Sequence, residues 1–230
     1  MPTPLHRLKQ QGPLHLLETT FNRLVPPSVF RYSVGVVFQL DLHSLAAKHP
    51  TTAPENYQFG IVQTEPDRNR LRTATWNSVL PETTQNDIGY AVRRKADNDT
   101  DNDIVGGVWV GVDDFLESNL GFQIQLQPHQ CWLYCAYIDK TARGGGIYTR
   151  LLSHVAADVL ARGYTELLVV IQPWNRASMH VHQKHALSKR GQIKALKLGR
   201  TCRIQTTPPL TQSAQKTTPP TTPPIQITIP

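Results

Sequence analysis

The sequence predicts an α/β chain of the α+β kind, a mixed sheet flanked by helices and containing one parallel β-α-β pair. Three observations predict it. Trp132 to Asp139 (WLYCAYID) is rich in aromatic and apolar residues, as a mostly buried strand is. After a glycine-rich turn, Ile147, Leu151, Val155 and Val159, with Leu152, Ala156 and Leu160 beside them, recur at helical spacing, and Gly163 after Arg162 closes that helix. Leu167 to Ile171 (LLVVI) is then a continuous apolar run of the sort found in sheets covered on both faces, which makes the pair parallel.

The other elements follow in chain order. Leu14, Leu17, Phe21 and Leu24 stand at helical spacing and end at Pro26-Pro27, and Val29 to Leu42 reads as a strand or hairpin. Residues 1–56 are expected to form an N-terminal extension packed on the domain. Tyr57 to Gln63 reads as a first strand, and Asp67 to Val79 as a polar helix carrying Leu71 and Trp76. Ile88 to Arg94 and Ile104 to Val112 read as a hairpin around the acidic turn Lys95 to Asp103. Gln192 to Ile204 alternates enough for one or two final strands, closing a domain over 57–204. The segment 205–230 repeats Thr-Thr-Pro-Pro and has little to bury, so it is expected to be a disordered tail on which no core depends. There is no internal repeat and no apolar stretch long enough to span a bilayer.

The turn between strand and helix is Arg143-Gly144-Gly145-Gly146-Ile147-Tyr148. Without Cβ atoms, successive glycines let backbone N–H groups approach a ligand, and the first helical turn adds unpaired donors and the positive end of a dipole. Arg143 can add a forked donor suited to phosphate oxygens. A pyrophosphate fits such a turn, although a lone glycine-rich turn is also a common way simply to reverse a chain. A P-loop would need Lys-Ser/Thr after the last glycine, and a dinucleotide fold would want Gly or Ala where Thr149 stands.

Arg143-x-x-Gly146-x-Tyr148 resembles the Arg/Gln-x-x-Gly-x-Gly/Ala signature of the GNAT superfamily, the GCN5-related N-acetyltransferases, whose loop holds the pyrophosphate of acetyl-CoA. At the expected interval, Asn175-Arg-Ala-Ser178-Met-His-Val-His182-Gln-Lys-His-Ala-Leu187 resembles that family's Asn-x-x-Ala/Ser-x-x-x-Tyr-x-x-x-Gly-Phe segment. This sequence departs at Tyr148, at His182 in place of the tyrosine, and at Ala186 and Leu187. The resemblance implies a mixed, mostly antiparallel central sheet with the parallel pair at a cofactor cleft, and acetyl-CoA as cosubstrate for transfer to a primary amine. It implies that Arg143, Gly144, Gly145, Gly146, Ile147 and Tyr148 hold the pyrophosphate. Strand N–H groups near Tyr137 and Ile138 would hold the carbonyl, and pantetheine would lie along that strand and against Asn175 and Ser178. His182 falls where the family often has the tyrosine that protonates the departing thiolate, a proton an imidazole can supply near neutral pH, and packing or simple hydrogen bonding is the alternative. Some members carry a glutamate base early in the strand; Trp132 stands at about that position, and Glu117, Asp114 or Tyr134 are substitutes, each also readable as an ordinary surface or core residue.

Composition agrees with one packed domain plus tails: 230 residues, 39% hydrophobic. The start lacks a signal-peptide segment, and three cysteines are too few and odd for a disulfide framework, so a reducing, cytoplasmic setting is expected. Cys131 and Cys135, on one strand face about 13 Å apart at ~3.3 Å per residue, read as core. The net charge of +7 gathers at Lys184, Lys189, Arg190, Lys194, Lys197, Arg200 and Arg203, close to the expected phosphate site, and reads as attraction of an anionic cofactor or as a solvated basic face. A nucleic-acid partner is disfavoured because no aromatic residue interleaves that charge. No metal is expected, because only His182 and His185 share a helical face and no further ligand stands at a fitting interval. Two readings compete with the enzyme: an acyl-CoA-binding regulatory or interaction protein without turnover, and a basic nucleic-acid-binding domain. The acceptor and the oligomeric state are not readable from the residues.

Overall fold

The computed structural model describes residues 24–26, 29–48, 56–77, 85–95, 103–117, 120–208, 210–212 and 225–230. The expected N-terminal helix, apart from Leu24, and most of the acidic turn lie outside them. The elements are β1 Phe30–Leu40, α1 Leu42–Ala47, β2 Tyr57–Ile61, α2 Glu65–Ala74, β3 Ile88–Arg94, β4 Ile104–Gly111, β5 Phe115–Glu117, β6 Phe122–Gln125 and β7 Gln130–Ile138. They continue with α3 Ile147–Ala161, β8 Glu166–Ile171, α4 Arg176–His185, β9 Ala186–Leu198, β10 Thr201–Thr206, β11 Thr211–Gln212 and β12 Ile225–Thr228. The main sheet has eight strands in the order β10-β9-β1-β8-β7-β4-β3-β2, all antiparallel neighbours except the β7–β8 pair; β5, β6, β11 and β12 form a second sheet. Within the described residues, no helix is long and apolar enough to cross a membrane.

Helical period and strand alternation sort the core onto two faces. Leu42 and Leu45 of α1 and Leu151, Leu152, Val155, Ala156 and Val159 of α3 pack on one face, over Phe38, Val92, Val108, Leu133 and Val169. Leu71 of α2, Trp109, Trp132, Leu168 and Ile193 pack on the other, together with Phe122, Ile124, Ile225 and Ile227 of the small sheet. Each of the Val, Leu, Ile and Phe side chains among them stabilises the fold by about 1.5–3 kcal/mol when fully buried. One polar contact ties α3 to the sheet: the Tyr90 hydroxyl donates to Asp158 at 2.6 Å, and Arg162 pairs with the same carboxylate at 2.6 Å.

Both ends of the chain depart from expectation. Strand β1 is no appendage: it lies between β8 and β9, pairing with both, so the segment before residue 57 supplies an inner strand of the sheet. The tail reading fails at its last residues. Strand β12 pairs in parallel with β6, and Ile225, Ile227 and Ile229 are buried, because their alternation with Gln226 and Thr228 presents one apolar face. In the sequence this short Ile-x-Ile-x-Ile pattern directly follows the Thr-Thr-Pro-Pro repeats. The last main-sheet hairpin also begins earlier than expected, at Ala186, directly after α4.

Candidate active site

The parallel pair is short. Strand β7 matches β8 from Gln130↔Glu166 to Leu133↔Val169 and no further. Past that point β7 stays with β4, while β8 stays with β1 through Ile171. The sheet therefore splits, and a β-bulge marks the place: Trp109 faces Tyr134 and Gly107 faces Tyr137, so β7 carries one extra residue there. Cys135 absorbs it with φ of 47°, a left-handed conformation that costs a non-glycine residue energy. The bulge also breaks the expected common face of the two cysteines: Cys131 is in the core under α3, whereas Cys135 packs against the other face.

A cavity of about 460 Å³ occupies the split. Leu133 to Ala136 border it on one side and Val169 to Gln172 on the other. Tyr148, Asn175, Ser178 and His182 line one end, and Phe115, Phe122, Ile124 and Ile193 the other. The two groups come from opposite faces of the sheet, so the split connects them.

At the first end the chain leaves β7 through a 3-10 turn at Lys140–Ala142, capped by Asp139, and enters the glycines. Gly144, Gly145 and Gly146 have φ of 107°, 57° and 73°, and a Cβ on any of them would meet nothing within 4 Å. Three consecutive residues in conformations that side chains disfavour thus present an open backbone surface. Gly146 is the N-cap of α3 and offers no side-chain oxygen to the first helical N–H groups. An anion of pyrophosphate size fits: donors and dipole are aimed outward, and no side chain intrudes. Arg143 stands at the rim with its Nε donating to the Ile138 carbonyl at 2.9 Å and its guanidinium over the Tyr137 ring.

Strand direction separates the two residues expected to hold a carbonyl. The Asp139 N–H donates to Val105 on β4, so by alternation Tyr137 also faces β4 and the Ile138 N–H and C=O face the open side. The Ile138 amide thus points away from β4, and the Tyr137 amide toward it. Ile147 is buried beneath the loop, in the core.

His182 is buried and bonded at both ring nitrogens. Nδ1 lies 2.8 Å from the Ser178 carbonyl, which can only accept, so Nδ1 carries the proton and Nε2 accepts from the Tyr148 hydroxyl at 3.0 Å. Burial holds this imidazole below its ordinary value and pushes the Tyr148 phenol up, so at neutral pH the pair holds its proton on Tyr148. Within this pair the hydroxyl is the donor and the imidazole the acceptor. Asn175 caps α4 by accepting from Ser178 N–H at 3.2 Å.

The other candidates separate as clearly. The Tyr134 hydroxyl donates to the buried Asp87 carboxylate at 2.6 Å; burial raises both groups, so Tyr134 borders the cavity with its ring and has no free proton to offer or take. Asp114 accepts from Gln123 Nε2 and Leu126 N–H and holds the small sheet. Glu117, alone of the substitutes for a base that carry a carboxylate, lines the cavity. Cys135 lines it too, but burial pushes its thiol up to about 11, which leaves it no nucleophile at neutral pH. The basic residues of β9 and β10 do not surround the glycine turn: β1 and β8 stand between β9 and β7, and Arg190 is bound to Gln39, Glu166 and the Pro230 carbonyl.

Residues 59–186, more than half of the 230-residue chain, match the sequence model of the acetyltransferase (GNAT) family. No curated protein sequence matches the chain. Among solved structures, a Drosophila protein compares with a TM-score of 0.52 at 11% identity, over 80% of this chain and 56% of that one. A GCN5-related N-acetyltransferase from Kribbella flavida compares at 0.46 and 8% identity, over 78% and 60%. The likeness to the Drosophila protein is one of fold, and this chain covers little more than half of it.

Proposed function

The chain belongs to the GNAT acetyltransferase family, and from that premise we propose that it transfers an acetyl group from acetyl-CoA to a primary amine by direct attack on the thioester. The observation that carries the proposal is the open glycine backbone at the head of α3, set beside a sheet split that leads through to the opposite face. Arg143 to Tyr148 would hold the pyrophosphate, and Asn175 and Ser178 would flank the pantetheine arm. Acetyl-CoA supplies the activated acyl carbon.

The chain's own residues have three tasks. The Ile138 N–H points away from β4 and would donate to the carbonyl oxygen as charge develops on it. Glu117 takes the proton that an ammonium must lose before its lone pair can form the C–N bond. As the C–S bond breaks, the Tyr148 hydroxyl would turn from His182 Nε2 to give its proton to sulfur and regain one from solvent, while His182 is a positioning residue that holds that hydroxyl at the cleft between turnovers. The inert Cys135 thiol favours this direct route over an acyl-cysteine.

The test is release of free thiol from acetyl-CoA, with and without a panel of primary amines, beside mass spectrometry of the amines. Amine-dependent release with a mass gain of one acetyl group on the amine is expected. Tight binding of acetyl-CoA with no acyl transfer to any amine would instead support a regulatory acyl-CoA-binding protein.

A further inference from the structure

Beside Arg143 stand two aromatic residues that take no part in the bond changes, Tyr137 and Trp76. Ile138 is in the core under α3, so by strand alternation the Tyr137 side chain lies on the opposite face of the sheet. Its ring meets a cation on one side and an aromatic residue on another. The Arg143 guanidinium lies over it, 5.5 Å from the ring centroid, and the Trp76 ring stands 6.5 Å away, centroid to centroid, with planes at 51°. Arg143 is therefore held twice, by Nε on the Ile138 carbonyl at 2.9 Å and by its face on Tyr137. None of the salt bridges among the described residues uses its terminal Nη groups.

Trp76 reaches this place at a cost. Its side chain is among the exposed large hydrophobic ones, at 79%, and its backbone has φ of 55°, in the left-handed region that a bulky residue disfavours. Neither burial nor backbone preference accounts for that position. Its neighbours in sequence do: Thr75 Oγ1 accepts from Trp109 Nε1 at 3.1 Å, and Asn77 Oδ1 accepts from Cys135 Sγ, at the bulge, at 3.6 Å. The turn after α2 is thus tied to β4 by one residue and to β7 by the other, and the two ties carry the indole between them to Tyr137.

An arginine that is immobilised on a phosphate gives up rotamer freedom, and one whose guanidinium is already held in plane gives up less. We infer that Tyr137 is a positioning residue for the cosubstrate: its ring, backed by Trp76, keeps the planar fork of Arg143 set for the phosphates at the glycine turn. The strained backbone at Trp76 is retained for that stack. Tyr137 thereby gains a part that its amide, turned toward β4, does not have. The inference rests on the acetyl-CoA reading proposed above and adds no bond change to it.

The test is calorimetric titration of acetyl-CoA into the full chain and into Tyr137→Leu, Tyr137→Phe, Trp76→Gly and Arg143→Ala, with Tyr137→Leu and Trp76→Gly also made in the Arg143→Ala background. Tyr137→Leu should raise Kd about fivefold, the scale of one cation–π contact, and Tyr137→Phe, which keeps the ring, should bind as the wild type does. Without Arg143, Tyr137→Leu should change nothing, because the group it positions is gone. Trp76→Gly removes the ring and releases the left-handed strain, so it should raise Kd about threefold while the thermal midpoint stays at or above that of the wild type. A merely structural role would lower affinity and midpoint together. Wild-type affinity in Tyr137→Leu, or a loss that persists in full without Arg143, overturns the role of Tyr137. Wild-type affinity in Trp76→Gly overturns that of Trp76, and this variant, with and without Arg143, decides the inference if Tyr137→Leu fails to fold. Absence of acetyl-CoA binding to the wild type overturns the cosubstrate reading and the inference with it.

Discussion

The two ends of the cleft are built by different means. The first is made of backbone: three glycines with positive φ and the uncapped start of α3, all within a few residues of one another. The second is made of side chains: Phe115, Phe122, Trp132 and Ile193 reach one cavity from four strands of two sheets, and a strand near the chain's last residue holds that wall in place. A backbone site recognises what many reactions share, such as phosphate charge. A side-chain site can be changed one residue at a time, and the choice of acceptor belongs there.

If the second end leans on the C-terminal strand, the largest effect should come from its core. Ile227 is fully buried, and Ile227→Ala should cost about 2–5 kcal/mol of stability, seen as a lowered midpoint in chemical denaturation. Where that variant still folds, it should weaken amine turnover more than acetyl-CoA binding; equal losses of both would break the division between the two ends. Tyr148→Phe should leave the glycine backbone intact and lower kcat about 10²-fold, the typical loss when a positioned proton donor is removed. An unchanged kcat would remove Tyr148 from the chemistry. Asn175→Ala removes the cap of α4 and should cost about 1 kcal/mol in thermal unfolding, with a smaller effect on kcat than Tyr148→Phe.

The smallest effect expected is one of pH. Burial lowers the His182 pKa in the fold, so below about 6.5 the unfolded chain binds this proton more readily than the native one. The stability tied to neutral His182 is full above that value and is lost as pH falls toward the folded pKa. His185 shifts the same way and remains in a His182→Gln variant, so the difference between the two stability curves isolates His182. The wild type should lose more stability than the variant between pH 7 and pH 5; parallel curves would show that the ring is not held neutral by the fold.

The same contrast governs what the residues revealed. The strand, glycine turn, helix and second strand were legible because each signal is local: an apolar run, consecutive glycines, a 3.6-residue period. The pairing of Tyr148 with His182 was present in the sequence as two departures from two motifs, and it takes the folded chain to bring them within 3.0 Å. The bulge at Cys135 left no mark in composition, since it arises where β7 stays with β4 while β8 stays with β1. The inner position of β1, the commitment of Tyr134 to Asp87 and the burial of Ile225, Ile227 and Ile229 all depend on partners far away in sequence, which no local pattern encodes.

If the backbone of Gly144 to Gly146 cradles the phosphates of acetyl-CoA, calorimetric titration of acetyl-CoA into the wild-type protein and into Gly146→Asp will show it. The carboxylate would fill open space at the head of α3 and repel phosphate, and the positive φ adds local strain, so circular dichroism should first confirm that the variant is folded. Micromolar binding to the wild type, weakened at least a hundredfold in the folded variant, is the predicted result. Equal binding to both proteins, or none to either, would contradict it.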